Sequence, residues 1–297
     1  MVDQVVLTGH RPATSVGRPG LRRPRVNGWA LLVLPGLIFT LIAFGWPLAE
    51  VLVRSFGGEG AAHNYSVTFT TPAYRSALVS TLLTSAAVTV SCLVIGYPYA
   101  YLMAMSRRTE LLLALILLPI WTSFLVRTYA WQIWLQDTGV INTTLQKLGI
   151  IDDPLELIRN RLGVTIGMTG ILLPFAILPL YTVMRRIDRE LVRAAENLGA
   201  RPSVAFRRVF VPLSLPGVYS AALLVFVLAL GFYIAPAILG GTSSPTLSTV
   251  IVDKVQRELD FHTASAIGIT LLAVAIVVLT LGSRVVRIRD VFGGGAP

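Results

Sequence analysis

The amino-acid sequence predicts an all-α protein, a polytopic bundle of six membrane-spanning helices. Of its 297 residues, 54% are hydrophobic and only 13% are charged, whereas soluble domains carry about 25% charged residues. The mean hydropathy is +0.72. Six apolar runs of about 20 to 28 residues, each long enough to cross the hydrocarbon core of a bilayer, are separated by polar segments.

The spans follow one another after a polar N-terminal segment. Residues 1–28 are rich in Pro, Gly and Arg, which predicts a disordered basic tail. The run from Trp29 to Val53 is too long for a signal-peptide core, so we expect an uncleaved first helix. The predicted spans are 29–53, 78–105, 111–135, 162–183, 217–239 and 263–282, within a transmembrane domain of residues 29–283. Residues 54–74 and 136–161 are predicted loops, and 284–297 a C-terminal tail.

The distribution of Lys and Arg predicts the orientation of the chain. With six spans both termini lie on one side, and that side carries about 17 of these residues against about 7 on the other. Both termini and the loop 185–212 are therefore predicted to be cytoplasmic. The net charge of +10 does not indicate nucleic-acid binding, because the arginines lie at the ends of apolar runs and form no continuous face.

The loop 185–212 is the polar stretch with the most distinctive pattern. It holds seven arginines between two long apolar runs, and the segment Glu190 to Leu198 is rich in good helix formers. Gly199 interrupts this segment, and Pro202 suits the first position of a second helix. We expect two short helices with a bend at 199–201, and an apolar ridge of Leu198, Val204 and Phe206. From charge alone, the favoured interpretation is a solvated basic loop held by lipid phosphate.

The spacing within this loop resembles the EAA loop of ABC importer membrane subunits. Ala194-Ala195, Gly199 and Val209-x-Val211-Pro212 match that pattern in register, while Arg193 stands where the family has its glutamate. The resemblance implies a coupling helix that seats in a groove of a cytoplasmic ATPase, in a fold like that of type I ABC importer permeases. The residues it assigns to ATPase coupling are Arg193, Ala194, Ala195, Glu196, Gly199, Ala200, Pro202, Val204, Phe206 and Pro212.

Other stretches are similar to the first membrane subunit of spermidine/putrescine importers. The clearest is the third apolar run, from Leu118-Pro119 through Trp121 and Arg127 to Tyr129. The resemblance implies a multi-pass permease in a bacterial inner membrane that forms half of a pathway for a small polar solute, polyamine or related. The implied partners are two copies of an ABC ATPase, a second and different permease, an extracytoplasmic solute-binding protein and membrane lipids.

Three residues are candidates for the solute pathway, each with an ordinary packing role as the alternative. Trp121 lies near the middle of the third run, and Tyr233 follows Gly231 where we expect irregular backbone. Arg127 is an intramembrane charge, with snorkelling to the outer interface or an ion pair as its alternatives. No carboxylate lies well inside a span, so this chain would offer a cationic solute aromatic faces alone.

The chain itself carries no predicted catalytic chemistry. It contains no phosphate-binding Gly-x-x-x-x-Gly-Lys-Ser/Thr sequence, and His10, His63 and His262 lie far apart. Cys92 is the single cysteine, so we expect no disulfide within the chain. The spacing of Cys and His residues predicts no metal site, and we expect no cofactor. The alternatives to an ABC importer subunit are a secondary transporter or channel, or a membrane scaffold; inverted repeats or intramembrane ionisable relays, which a secondary transporter would show, are not evident.

Overall fold

The computed structural model describes residues 28–58, 60–241 and 245–293, and the regular structure of this part is helical throughout. The predicted N-terminal tail therefore lies outside the described residues, except for Gly28. The α-helices are α1 (Gly28–Ser55), α2 (Ala61–Thr70), α3 (Pro72–Met105), α4 (Thr109–Leu117), α5 (Phe124–Leu135), α6 (Val140–Lys147), α7 (Arg161–Met184), α8 (Arg189–Asn197), α9 (Pro202–Ala205), α10 (Val211–Leu230), α11 (Ile234–Leu239), α12 (Leu247–Asp253) and α13 (Phe261–Gly293).

The chain divides into a first unit that ends at Leu48 and a second that begins at Ala49. In the first unit, the described residues belong to α1, a strongly apolar helix that matches the first predicted span. Among the described residues, five helices are long and apolar enough to cross a membrane, and a bent pair of helices supplies a sixth crossing if its halves cross together. The predicted class of fold, a helical membrane bundle, is confirmed.

The core of the second unit is formed by α3, α7 and α10. Its fully buried side chains include Val88, Met103, Ile177 and Leu180. A Cβ atom added at Gly96 of α3 would lie 3.2 Å from the side chain of Ile177, so the two helices meet at the glycine. Small residues allow such close approach between helices in membranes, where packing rather than hydrophobic transfer drives association.

The third predicted span, 111–135, is wrong as a continuous helix. Helix α4 passes into a 3-10 turn, Leu118–Trp121, and the chain then bends by 97° before the helical segment that begins with α5. Pro119 lacks a backbone N–H and crowds the preceding turn, which ends regular helix here. Ser123 begins the next helix, because its side chain accepts a hydrogen bond from the backbone N–H of Leu125 at 3.3 Å.

The fifth predicted span, 217–239, is also interrupted. Helix α10 ends at Leu230, and Gly231 precedes the short helix α11, as the expected irregular backbone requires. Side chains supply partners to backbone groups at the interruption and at the start of α12. The Ser248 hydroxyl donates to the carbonyl of Phe232 at 2.9 Å, and the backbone N–H of Leu247 donates to the buried Thr81 hydroxyl at 2.8 Å. Such partners permit non-helical backbone inside a membrane protein.

The polar segments contain more helix than expected. Helices α2 and α6 lie within the two predicted loops, and α12 continues into a π-helical segment, Lys254–Glu258. Lys254 contacts Glu258 at 2.5 Å and lies 5.6 Å from the Tyr74 ring centre. Burial lowers the pKa of Lys254, but its hydrogen bonds to Glu258 and Tyr74 outweigh burial and raise it above the usual range. At the C-terminus, α13 continues beyond the predicted end at Gly282 to Gly293.

Candidate functional site

The predicted bend in the 185–212 loop is present, and hydrogen bonds define it. Helix α8 ends at Asn197, and Gly199, two residues further on, has φ +91°, a conformation that residues with a Cβ atom rarely adopt. The N–H of Gly199 donates to the carbonyl of Glu196 at 2.9 Å, and the N–H of Ala200 donates to that of Ala195 at 3.1 Å. This pair of bonds is the Schellman ending of a helix. Pro202 then occupies the first turn of α9, as the sequence predicted.

The surface of the bend is partly the expected ridge. The Leu198 side chain is 90% exposed, although it is apolar, and Ala194 and Val204 are exposed beside it. Phe206 does not belong to this ridge, which corrects the sequence interpretation. It is half-buried and packs inward, against the end of α3. The exposed apolar tip is therefore smaller than predicted and centres on Leu198.

Aromatic rings attach the loop to the core of the bundle. The Tyr101 ring of α3 meets Phe206 edge-on at 5.3 Å between centres and Phe210 at 5.0 Å. Phe206 and Phe210 stack on each other at 5.4 Å, within a π-helical segment that leads into α10. We call Tyr101, Phe206 and Phe210 the aromatic cluster. Its three rings therefore join α3 to the loop and to the segment that leads into α10.

A charged hydrogen bond holds the other end of the loop. The Arg189 guanidinium donates to the carbonyl of Ala104, near the end of α3, at 2.6 Å. The neighbouring Asp188 caps α8, because its carboxylate accepts from the N–H of Glu190 at 2.9 Å. A groove of about 320 Å³ lies between α8, the end of α3 and the π-helical segment that precedes α10. Its wall is partly apolar, with Met105 and Ile187, and partly charged.

The structure places Arg193 on an exposed position of α8. Glu190 and Glu196 lie three residues to either side, yet among the described side chains neither carboxylate is within ion-pair distance of Arg193. Arg193 therefore forms an ion pair with neither glutamate in this chain. Arg193 and Glu196 both line the groove beside α8 and remain available to a partner.

Arg127 lies just after the break of the third span, in the first turn of α5, and its side chain is half-buried. Its guanidinium donates to the carbonyl of Ile171 in α7 at 3.5 Å and stacks 4.7 Å from the Phe124 ring centre. Ile171 is fully buried and about ten residues, or about 15 Å, inside α7. The Nε atom of Arg127 is buried without a hydrogen-bond partner in the described part of the chain, and no carboxylate there pairs with the guanidinium.

The other two pathway candidates, Trp121 and Tyr233, differ in side-chain exposure and in position. Trp121 is 91% exposed at the break of the third span, whereas Tyr233 is 39% exposed at the start of α11. Phe124 and Phe232, which the sequence analysis did not single out, meet edge-on at 5.8 Å. These rings connect Arg127 to the backbone beside Tyr233, so two of the three candidates belong to one region and Trp121 stands apart. Ser123, a residue type that often begins a helix, was the signal in the sequence for the helix that carries Phe124 and Arg127.

The described residues hold no group of three or more His, Cys, Asp or Glu side chains arranged to bind a metal ion. Cys92 is fully buried in the core, where its thiol donates to the carbonyl of Thr169 at 3.7 Å. Its position is that of a small packing residue.

Sequence comparison defines the class to which this bundle belongs. The family of inner-membrane components of binding-protein-dependent transport systems matches residues 29–291, and the chain belongs to that family. It is 37% identical to the spermidine/putrescine transport system permease protein PotB of Haemophilus influenzae over 213 residues, which cover 70% of this chain and 74% of the relative. PotB of Escherichia coli is 36% identical over 206 residues, 67% of this chain and 74% of the relative.

More distant relatives share the fold. The molybdenum transport system permease protein ModB of Mycobacterium bovis is 30% identical, over 88% of this chain and 92% of the relative. The structure of a bacterial alginate ABC transporter with a periplasmic protein has a TM-score of 0.67 at 18% identity, over 90% of this chain and 96% of its own. A structure of the MetNI methionine ABC transporter has a TM-score of 0.54 at 18% identity, and the match covers 71% of this chain and 94% of the transporter chain. The chain is therefore an ABC importer permease with the fold of these transporters.

Proposed function

We propose that this permease forms half of a translocation pathway for a polyamine, driven by a separate ATPase that docks at the bend of the 185–212 loop. The proposal rests above all on the bend itself. Leu198 is exposed at the end of α8, where the Schellman hydrogen bonds turn the chain, and the charged Glu196 lies two residues before it. This tip lies within the EAA-like spacing of the loop, and we expect the ATPase to seat on it.

The polyamine assignment is supported by the two PotB relatives, which exceed 35% identity over two thirds of this chain. The partners then are two copies of the ATPase, a second and different permease, an extracytoplasmic binding protein and membrane lipids. Both termini and the 185–212 loop face the cytoplasm, in agreement with the charge bias. The single unpaired Arg127 is unfavourable for a cation, so the carboxylates that receive a polyamine belong to the other subunits.

The test is uptake by the complete complex in proteoliposomes. Labelled spermidine and putrescine are added with their binding protein and with ATP enclosed, and molybdate serves as the comparison solute because ModB is also a relative. We expect ATP-dependent uptake of a polyamine. Uptake of molybdate alone would overturn the solute assignment, and polyamine uptake without ATP would favour a secondary transporter.

A further inference from the structure

Three pairs of adjacent arginines occur in the second unit, one at the same end of each core helix. Arg107-Arg108 follows the end of α3, Arg185-Arg186 follows the end of α7, and Arg207-Arg208 precedes α10. We call these six residues the arginine girdle. Every one of the six side chains is exposed.

Contacts between the core helices place the three pairs at one level of the bundle. The Tyr97 hydroxyl is 2.8 Å from that of Ser214, which aligns α3 with α10. Gly96 packs on Ile177, which aligns α3 with α7. At 1.5 Å per residue from these contacts, the arginine pairs lie within roughly 6 Å of one another along the bundle. They therefore form a belt at one depth, at the edge of the apolar region.

The girdle carries positive charge that the chain itself does not neutralise. Among the described side chains, no girdle arginine makes an ion pair, and the nearby acidic residues are fewer. Those acids are Glu110, Asp188, Glu190 and Glu196. In the sequence, Leu198 lies 12 residues after Arg186 and 9 before Arg207, so the charge and the apolar tip occupy different parts of the loop.

We infer that the arginine girdle binds the phosphate groups of anionic phospholipids in the cytoplasmic leaflet and so anchors the base of the coupling loop. The orientation of the loop rests on the proposed function. Arginine clusters directly beside spans recognise anionic headgroups, because guanidinium groups pair with phosphate oxygens and the leaflet is negatively charged.

The anchor has a consequence for coupling. With its base held at the headgroups, the loop transmits force from its tip through the aromatic cluster to α3 and α10 and does not slide along the membrane surface. Anionic lipid is therefore required for tight coupling of ATP hydrolysis to transport, and is not required for assembly with the ATPase.

The test compares three double variants of the assembled complex, Arg107→Gln/Arg108→Gln, Arg185→Gln/Arg186→Gln and Arg207→Gln/Arg208→Gln. The matched control removes two exposed charges on the other side, Arg75→Gln/Lys147→Gln. Phosphatidylglycerol retained by the purified complex is counted by native mass spectrometry. Transport per ATP hydrolysed is measured in proteoliposomes of phosphatidylcholine with and without phosphatidylglycerol.

We expect each arginine variant to bind phosphatidylglycerol roughly thirtyfold more weakly and to lose the stimulation of coupling, while the control keeps both. The inference is wrong if the arginine variants retain phosphatidylglycerol as the parent complex does. It is equally wrong if they release the ATPase, because the arginines would then contact that protein. Failure of polyamine uptake by the parent complex would instead contradict the proposed function.

Discussion

Gly199 is the residue whose conformation the loop depends on most. Its φ of +91° costs a side chain with a Cβ atom about 1–2 kcal/mol, and a β-branched side chain more. Open space surrounds the position, so the penalty is conformational and not a clash. We expect Gly199→Val to uncouple ATP hydrolysis from transport while membrane insertion is unchanged, and Gly199→Ala to be milder. Uptake and ATPase activity are measured on the same preparation, and normal uptake by Gly199→Val would contradict the prediction.

Arg193 is the position at which the chain departs from the family pattern. Among the described residues Arg193 makes no ion pair, so replacing it breaks no internal ion pair. Glu196 lies close to the bend and lines the groove, whereas Glu190 lies in the first turn of α8. We expect Arg193→Glu to be mild, and Glu196→Ala to weaken ATPase docking more than Glu190→Ala. An exposed pair contributes only about 0–1 kcal/mol, but a desolvated pair at an interface contributes more.

ATPase retention on the purified complex measures these three variants together. If Arg193→Glu alone strips the ATPase, the arginine makes the contact and Glu196 does not replace the missing glutamate.

Arg127 fixes the segment after the third-span break against α7. Loss of its hydrogen bond to the Ile171 carbonyl and of its contact with the Phe124 ring removes about 2–4 kcal/mol. We expect Arg127→Ala to lower thermal stability and uptake, with Arg127→Lys intermediate because lysine still donates to the carbonyl. Phe124→Leu is the matched variant that removes the ring contact alone. Unchanged stability and uptake in Arg127→Ala would show that these contacts do not matter.

At the scale of elements, a π-helical segment, Phe206–Phe210, joins the loop to α10. This turn places Phe206 and Phe210 on one side, where both contact Tyr101. Such turns inside helices frequently accompany functional sites. The joint therefore combines a fixed aromatic contact with a backbone segment outside regular α-helix.

Phe206→Ala tests this joint. Phe206 is half-buried, so we expect a stability loss of about 2 kcal/mol, from the lost packing and two ring contacts. Transport per ATP should fall further than stability alone explains, while the ATPase stays bound. Phe69→Ala, at an exposed phenylalanine of α2, is the control with the same truncation. Equal effects from the two variants would exclude a coupling role for Phe206.

The helices differ in how well the sequence predicted them. Length and apolar content predicted the spans of α1, α3, α7 and α13, since hydropathy is local to each segment. The break at 118–123 was missed although Pro119 and Ser123 signalled it, because a 25-residue apolar run outweighed two punctuating residues. The inward packing of Phe206 depends on Tyr101, which is distant in sequence. Helix α2 was missed because a polar, weakly amphipathic segment resembles a loop.

For the whole molecule, orientation is the property on which the partner assignments depend. We expect Leu198→Cys to react with an impermeant maleimide only from the cytoplasmic side, and Leu148→Cys only from outside. Both leucines are well exposed, at 90% and 67%, and the native Cys92 is fully buried and serves as the unreactive background. Labelling at Leu198→Cys should also disappear when the ATPase is bound. Labelling of both positions from one side would overturn the topology.

The break in the third span has a consequence for how the protein enters the membrane. Two short helices joined at 97° leave backbone N–H and C=O groups without helical partners at the bend, and hydrocarbon offers them none. Arg127 adds a charge that is stabilised by a carbonyl of α7, a helix synthesised later. Segment 109–135 is therefore expected to wait beside the translocon until α7 emerges, so that biogenesis of this chain pairs its third and fourth apolar segments before either is released into lipid.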